Sequence, residues 1–132
     1  MNNDIADWKD PSGWRRHMAE RIAGQIDPER FGVANVYLIG SVKNDNAGTG
    51  SDIDLLLHFR GTPEQLESLK IWLEGWSRCL AEINYLKTGY LSDGLLDVHI
   101  VTDEAIAQKT SFAVKIGAAS DAALPLPMAF RS

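Results

Sequence analysis

Ile39-Gly40-Ser41-Val42-Lys43-Asn44-Asp45-Asn46-Ala47-Gly48-Thr49-Gly50-Ser51-Asp52-Ile53-Asp54-Leu55-Leu56-Leu57 is the stretch that decides the fold. An apolar run meets a Gly-Ser step, then a polar segment, then an acid–apolar–acid triplet that enters three leucines. Residues two apart in a strand point to the same face. Asp52 and Asp54 therefore present two carboxylates side by side. Like charges at that spacing repel, and burying either one alone is costly. A divalent cation is the usual resolution. Mg²⁺ takes hard oxygen ligands, commonly one or two carboxylates plus substrate phosphates. The Gly40-Ser41 step can bring backbone N–H groups close to a phosphate. Metal and phosphate sites side by side suggest chemistry on a nucleotide.

Working outward, Val33 to Ile39 is rich in β-branched and aromatic residues and reads as a strand running into Gly40. Residues 42–51 are loop chemistry. Asp52 to Phe59 reads as the next strand, nearly continuous in apolar residues beyond the acids, as for a strand covered on both faces. Thr62-Pro63-Glu64-Gln65 is a helix start with a capping box from Thr62 to Gln65. Leu66, Leu69, Trp72, Leu73, Trp76, Cys79, Leu80, Ile83 and Leu86 follow at helical spacing, so Cys79 is expected as a small buried hydrophobe. Gly89 and Ser92-Asp93-Gly94 read as turns. Leu95 to Thr102 is a third strand, with Asp97 and His99 on one face and Leu96, Val98 and Ile100 on the other.

At the amino-terminal side, Asp10-Pro11-Ser12 offers a helix start, and Trp14, Met18, Ile22 and Ile26 recur every fourth residue until Asp27-Pro28 ends the pattern. Trp8 alone of the tryptophans is expected to be exposed. Asp103 to Lys109 forms a turn or two of helix capped by Asp103 or Thr102. The remainder is weakly patterned, and Leu124-Pro125-Leu126-Pro127 argues against regular structure there. The chain reads as one domain, residues 1–110 with a motif core at 30–102, followed by an extension at 111–132.

Composition narrows the function. The 132 residues suffice for one domain with a core, and 45% apolar content argues against disorder. A net charge of −5 with no basic run disfavours a broad nucleic-acid surface, whose affinity would come from neutralising phosphates. A single nucleotide with its own metal ion suits an acidic protein. Cys79 is the one cysteine, so no internal disulfide forms. The sequence begins without a basic stretch leading into an apolar one, and no apolar run reaches membrane-spanning length. The expectation is a reduced, cytoplasmic setting with no membrane partner.

The order helix, strand, Gly-Ser, strand with two acids, long helix, strand with one acid resembles the nucleotidyltransferase superfamily that includes DNA polymerase β, closest to its small minimal members. That family's pattern is an apolar residue, Gly, Gly or Ser, a short spacer, an acid–apolar–acid triplet and a third acid on a later strand. Here these read Ile39, Gly40, Ser41, the spacer Val42 to Ser51, then Asp52-Ile53-Asp54 and, later, Asp97 between Leu96 and Val98. The resemblance implies an α+β domain, a short mixed sheet flanked by helices. It implies transfer of a nucleoside monophosphate from a nucleoside triphosphate to an acceptor hydroxyl, with release of pyrophosphate. Asp52, Asp54 and Asp97 would be the catalytic acids and the ligands of two Mg²⁺ or Mn²⁺ ions. Gly40, Ser41, Lys43 and Ser51 would meet the nucleotide. Where many minimal members carry Arg-x-Arg-Gly after the Gly-Ser step, this chain has Val42-Lys43-Asn44-Asp45. The acceptor, a protein or small molecule, would be presented by a homodimer, a partner protein or a larger parent chain.

Other readings stay open. One is a catalytically degenerate, antitoxin-like or regulatory module that binds a protein partner. Another is a glycosyltransferase that uses Asp-x-Asp on a nucleotide-sugar, which the Gly-Ser spacing disfavours. A dinucleotide-binding domain is rejected, since no Gly-x-Gly-x-x-Gly opens a helix. His99 either lines the site beside Asp97 or is structural. His58, further along the Asp54 face, reads as structural.

Overall fold

A computed structural model describes residues 10–129; Trp8 and the other readings made on the first nine residues lie outside the described residues. Asp10 caps helix α1 (Pro11–Gly24), accepting the Gly13 N–H at 2.8 Å, with Pro11 in the first turn, where its missing donor costs nothing. The helix stops short of Asp27-Pro28. Asp27 instead caps a separate turn, α2 (Pro28–Phe31), by accepting the N–H groups of Glu29 and Arg30. Strand β1 (Val33–Ile39) follows. A helical turn, α3 (Gly40–Lys43), occupies the start of the segment expected to be loop throughout. Val42 explains it: this apolar side chain is fully buried and draws the turn into the core.

Strand β2 (Ile53–Phe59) leads into the long helix α4 (Pro63–Thr88). The capping box forms as expected: Thr62 Oγ1 accepts the Gln65 N–H, and Gln65 Oε1 accepts the Thr62 N–H. Strand β3 (Leu96–Val101), helix α5 (Asp103–Ala107), a 3₁₀ turn (Ser111–Lys115) and strand β4 (Leu124–Leu126) complete the chain. The four strands form one mixed sheet in the order β3-β2-β1-β4. β1 runs antiparallel to β2 and to β4, whereas β2 and β3 are parallel and joined by α4. The architecture is α+β, with five α-helices and one 3₁₀ turn among the described residues.

Alternation along β2 sorts its side chains into two cores. Ile53, Leu55, Leu57 and Phe59 join the main core beneath α1 and α4. Leu56 joins a smaller one with Ile39, Val101, Ala113 and Ala123 on the opposite face. Both faces are covered, which is why the strand reads as unbroken leucine. Leu55, Leu56 and Leu57 are all fully buried, and truncating any one to alanine is expected to cost about 2–5 kcal/mol.

Three local expectations change, and one left open is settled. The Leu-Pro-Leu segment, read as irregular, pairs with β1 as an edge strand, where one row of backbone groups has no ladder partner and Pro125 is tolerated. Cys79 is exposed rather than buried, because the buried line of α4 runs through Leu69, Leu73, Leu80, Ala81 and Asn84 and leaves position 79 at its margin. Leu86, read on the same stripe, is 76% exposed. Thr102, not Asp103, caps α5, accepting the Ala105 N–H at 3.2 Å. Among the described residues no helix is long and apolar enough to cross a membrane.

Candidate active site

Strand register creates the site. Asp54 lies opposite Ile39 of β1 on one side and opposite Asp97 of β3 on the other. Two acids on parallel neighbouring strands, in register and on the same face, are forced together. The spacing of Asp97 and His99 by two residues places the imidazole on that face as well. One ligand atom each from Asp54, Asp97 and His99 lie within 4.8 Å of one another. His99 Nε2 stands 3.5 Å from Asp97 Oδ2, and its ring stacks on Phe112 at a centroid distance of 3.8 Å.

Gly40 closes the site from β1. Its φ of 78° lies in the left-handed region, and a Cβ added there would collide with the Asp54 carboxylate. Glycine is needed twice at this position, for the backbone angle and for the space. Gly40 and Ser41 open α3, and the residue before them, Ile39, supplies no side chain to cap their N–H groups.

The electrostatics are those of crowded acids. Partial burial, followed by the charge and hydrogen bond of Asp97, pushes the Asp54 carboxyl up to about 6; His99 pulls the other way and Asp52 adds a little more. Asp52 is raised too, by burial and then by Asp97, with the Arg15 guanidinium opposing. Asp52 precedes β2, is solvent-exposed and stands outside the Asp54–Asp97–His99 group. Asp52 comes before β2 begins, so the strand ladder that brings Asp54 to Asp97 does not place it. Two carboxylates and an imidazole could hold a divalent cation, the carboxylates supplying the oxygen donors that hard ions take and the imidazole a softer nitrogen.

The expected nucleotide contacts are distributed. Gly40, just past the end of β1, lies against the Asp54 carboxylate, and Ser41 follows it in α3. Ser51 Oγ accepts the Gly48 N–H at 2.9 Å and so closes its own loop. Lys43 Nζ donates at 2.9 Å to both Asp121 Oδ1 and the Ala122 carbonyl, which leaves its side chain 13% exposed. Asp121 also takes Lys115 and Asn44, and its carboxyl is held well below the usual range, first by Lys43.

Sequence reasoning missed three residues here. Arg15 and Asn84 lie buried behind the loop that carries Asp52. Phe112 backs His99 from the 3₁₀ turn. Asn84 had a signal, a polar residue at a core position of the α4 stripe. Arg15 and Phe112 had none, since their neighbours are brought by the fold.

No curated protein and no solved structure matches the chain. A family model described as the nucleotidyltransferase domain matches residues 22–114, which span β1, the Gly-Ser turn, all three acids, α4 and β3. With that match over most of its length, the chain belongs to the nucleotidyltransferase domain family of the DNA polymerase β-like superfamily.

Proposed function

We propose that this protein is a metal-dependent nucleotidyltransferase that moves a nucleoside monophosphate from a nucleoside triphosphate to an acceptor hydroxyl. The observation that carries the reading is the register of Asp54 against Asp97 beside Gly40. Asp54, Asp97 and His99 would hold one Mg²⁺ or Mn²⁺ ion, and Asp52 with Asp54 a second. When bound, such ions neutralise phosphate charge and make the attacking hydroxyl more acidic.

In this reading the acceptor oxygen forms a bond to the α-phosphorus, and the bond from that phosphorus to the bridging oxygen of the β-phosphate breaks. Pyrophosphate leaves. Asp97, the more exposed of the paired acids, takes the acceptor's proton. Gly40 and Ser41 direct N–H groups and a hydroxyl at the triphosphate. Ser51 shapes the loop beneath it, and Lys43 reaches a phosphate by exchanging Asp121 for it. A homodimer or a partner protein presents the acceptor, which is a protein or a small molecule.

One observation favours a second reading, a catalytically degenerate module that acts through a protein partner. Lys43, the basic residue next to the Gly-Ser turn, is already held by Asp121. Melting temperatures with ATP, GTP, CTP or UTP, each with and without Mg²⁺ or Mn²⁺, separate the two. A rise that requires metal and disappears in Asp54→Asn and Asp97→Asn supports the transferase. No rise with any nucleotide at millimolar concentration supports the degenerate module.

A further inference from the structure

Arg15 is 0% exposed, yet among the described residues no carboxylate pairs with its guanidinium. A buried cation with that environment needs its donors satisfied by other means. Nε donates to the Ser51 carbonyl at 2.8 Å, and Nη2 to the Thr49 carbonyl at 3.1 Å and to Asn84 Oδ1 at 3.2 Å. Nη1 donates to the Pro11 carbonyl at 3.2 Å on its own helix. Asn84, also 0% exposed, donates from Nδ2 to the same Thr49 carbonyl at 2.8 Å. Helix α1 thus holds two carbonyls of one loop, those of Thr49 and Ser51, and helix α4 adds a second bond to the first of them. Ser12 adds a third tie, accepting the Ala47 N–H at 2.9 Å.

The gripped residues immediately precede Asp52. The Ser51 carbonyl belongs to the peptide that joins Ser51 to Asp52, so fixing it fixes where the Asp52 side chain leaves the backbone. Asp52 needs such help more than the other acids do. Asp54 and Asp97 are placed by the β2–β3 ladder, whereas Asp52 lies before the strand begins. A planar guanidinium, with donors in a rigid fork, is the side chain suited to hold several carbonyls in one arrangement.

We propose that Arg15 and Asn84 are positioning residues for Asp52, setting the distance of the first acid from the Asp54–Asp97 pair by clamping the carbonyls of Thr49 and Ser51. This rests on the metal-dependent reading above. Their effect passes through Asp52, and neither is a catalytic residue. Arg15→Lys keeps the charge and loses the fork, while Asn84→Ala removes one tie and keeps Arg15.

The test is Mn²⁺ binding by the full chain, followed by the electron paramagnetic resonance signal of the free ion, with circular dichroism to establish that each variant is folded. Arg15→Lys and Asn84→Ala are expected to weaken Mn²⁺ binding about tenfold or more, as loss of outer supports of metal ligands commonly does. Asp52→Asn, which retains the Asp54–Asp97–His99 group, supplies the background that separates positioning from general packing. Adding Arg15→Lys to it should cost nothing further, because the residue through which Arg15 acts is already silent. An equal loss in the Asp52→Asn background overturns the proposal, as does unchanged affinity in a folded Arg15→Lys or Asn84→Ala protein. If the unsubstituted chain takes up no Mn²⁺, the functional reading itself fails and the positioning role goes with it. Should Arg15→Lys not fold, Asn84→Ala and its double variant with Asp52→Asn decide the matter alone.

Discussion

Strand β2 carries two polar clusters on one face, and they are opposites. At its start Asp54 meets Asp97, like charge against like, and its carboxyl is pushed up to about 6. Toward its end, on the same face, buried His58 meets Asp103 at 2.6 Å, and Arg60 reaches that carboxylate at 3.0 Å. Asp103 is held below the usual carboxylate range, first by the His58 hydrogen bond and then by that of Arg60. Leu56 lies between them in the smaller core. The same backbone supports a cluster of like charge that His99 offsets only in part and one that supplies its own counter-charge. Crowded like charge is the arrangement that a cation would relieve, whereas a closed ion pair is what holds a strand end to the next helix.

Neutralising Asp54 should separate chemistry from stability most sharply. Asp54→Asn is expected to lower nucleotidyl transfer by roughly three orders of magnitude, the scale of losing several kcal/mol of metal-borne charge stabilisation. The same substitution should raise the melting temperature of the chelated protein at neutral pH, because it removes a repulsion. Transfer from labelled nucleoside triphosphate and melting in EDTA check the pair of outcomes, and a fall in both would mean that Asp54 is structural.

Gly40→Ala comes next. The left-handed backbone alone costs an alanine about 1–2 kcal/mol, and the added methyl displaces the Asp54 carboxylate. Loss of the metal-dependent nucleotide shift together with lowered stability is the expected result. Retention of the shift would show that the carboxylate can be moved without harm.

At the other end of β2 the effect should invert. His58→Ala leaves Asp103 without its buried partner, so the melting temperature should fall while the metal-dependent nucleotide shift stays as in the unsubstituted chain. If the shift vanished with it, the two clusters would be coupled rather than independent.

The smallest effect is the opposed pH dependence of the two ends. Asp54 titrates higher in the folded chain than its ordinary value of 3.8, so its contribution to stability is fully present below that value and is lost as pH rises through about 6. Saturating Mg²⁺ should flatten that loss. Asp103 titrates lower when folded, so its contribution is present above the ordinary carboxylate range and is lost on acidification. Melting curves of Asp54→Asn and Asp103→Asn, each compared with the unsubstituted chain from pH 2 to 8, read the two slopes, that of Asp103 below its ordinary value and that of Asp54 above it; slopes of the same sign would remove the contrast.

Much of this was legible in the residues. Alternation put Asp97 and His99 on one face of β3, and the leucine run announced a strand covered on both sides. The Thr62–Gln65 box marked the start of α4 because capping is local chemistry within four residues. Other features resisted. Val42 coiling the start of the loop, Cys79 slipping to the margin of α4 and Leu-Pro-Leu joining an edge all depend on what lies opposite. Lys43 illustrates the limit well: its spacing from Gly40 points to phosphate, yet its ammonium finds Asp121, far along the chain.

By itself the amino-acid sequence determined the main strands and helices and the parity of each acid within its strand, because these follow from backbone periodicity and local capping. Tertiary structure alone decided that Asp54 faces Asp97 in register, that His99 completes their group while Asp52 stands apart, and that Arg15 and Asn84 hold the loop between them. Register and burial are settled by contacts between residues distant in the chain, and the spacing of residues along one segment carries no record of what packs against it.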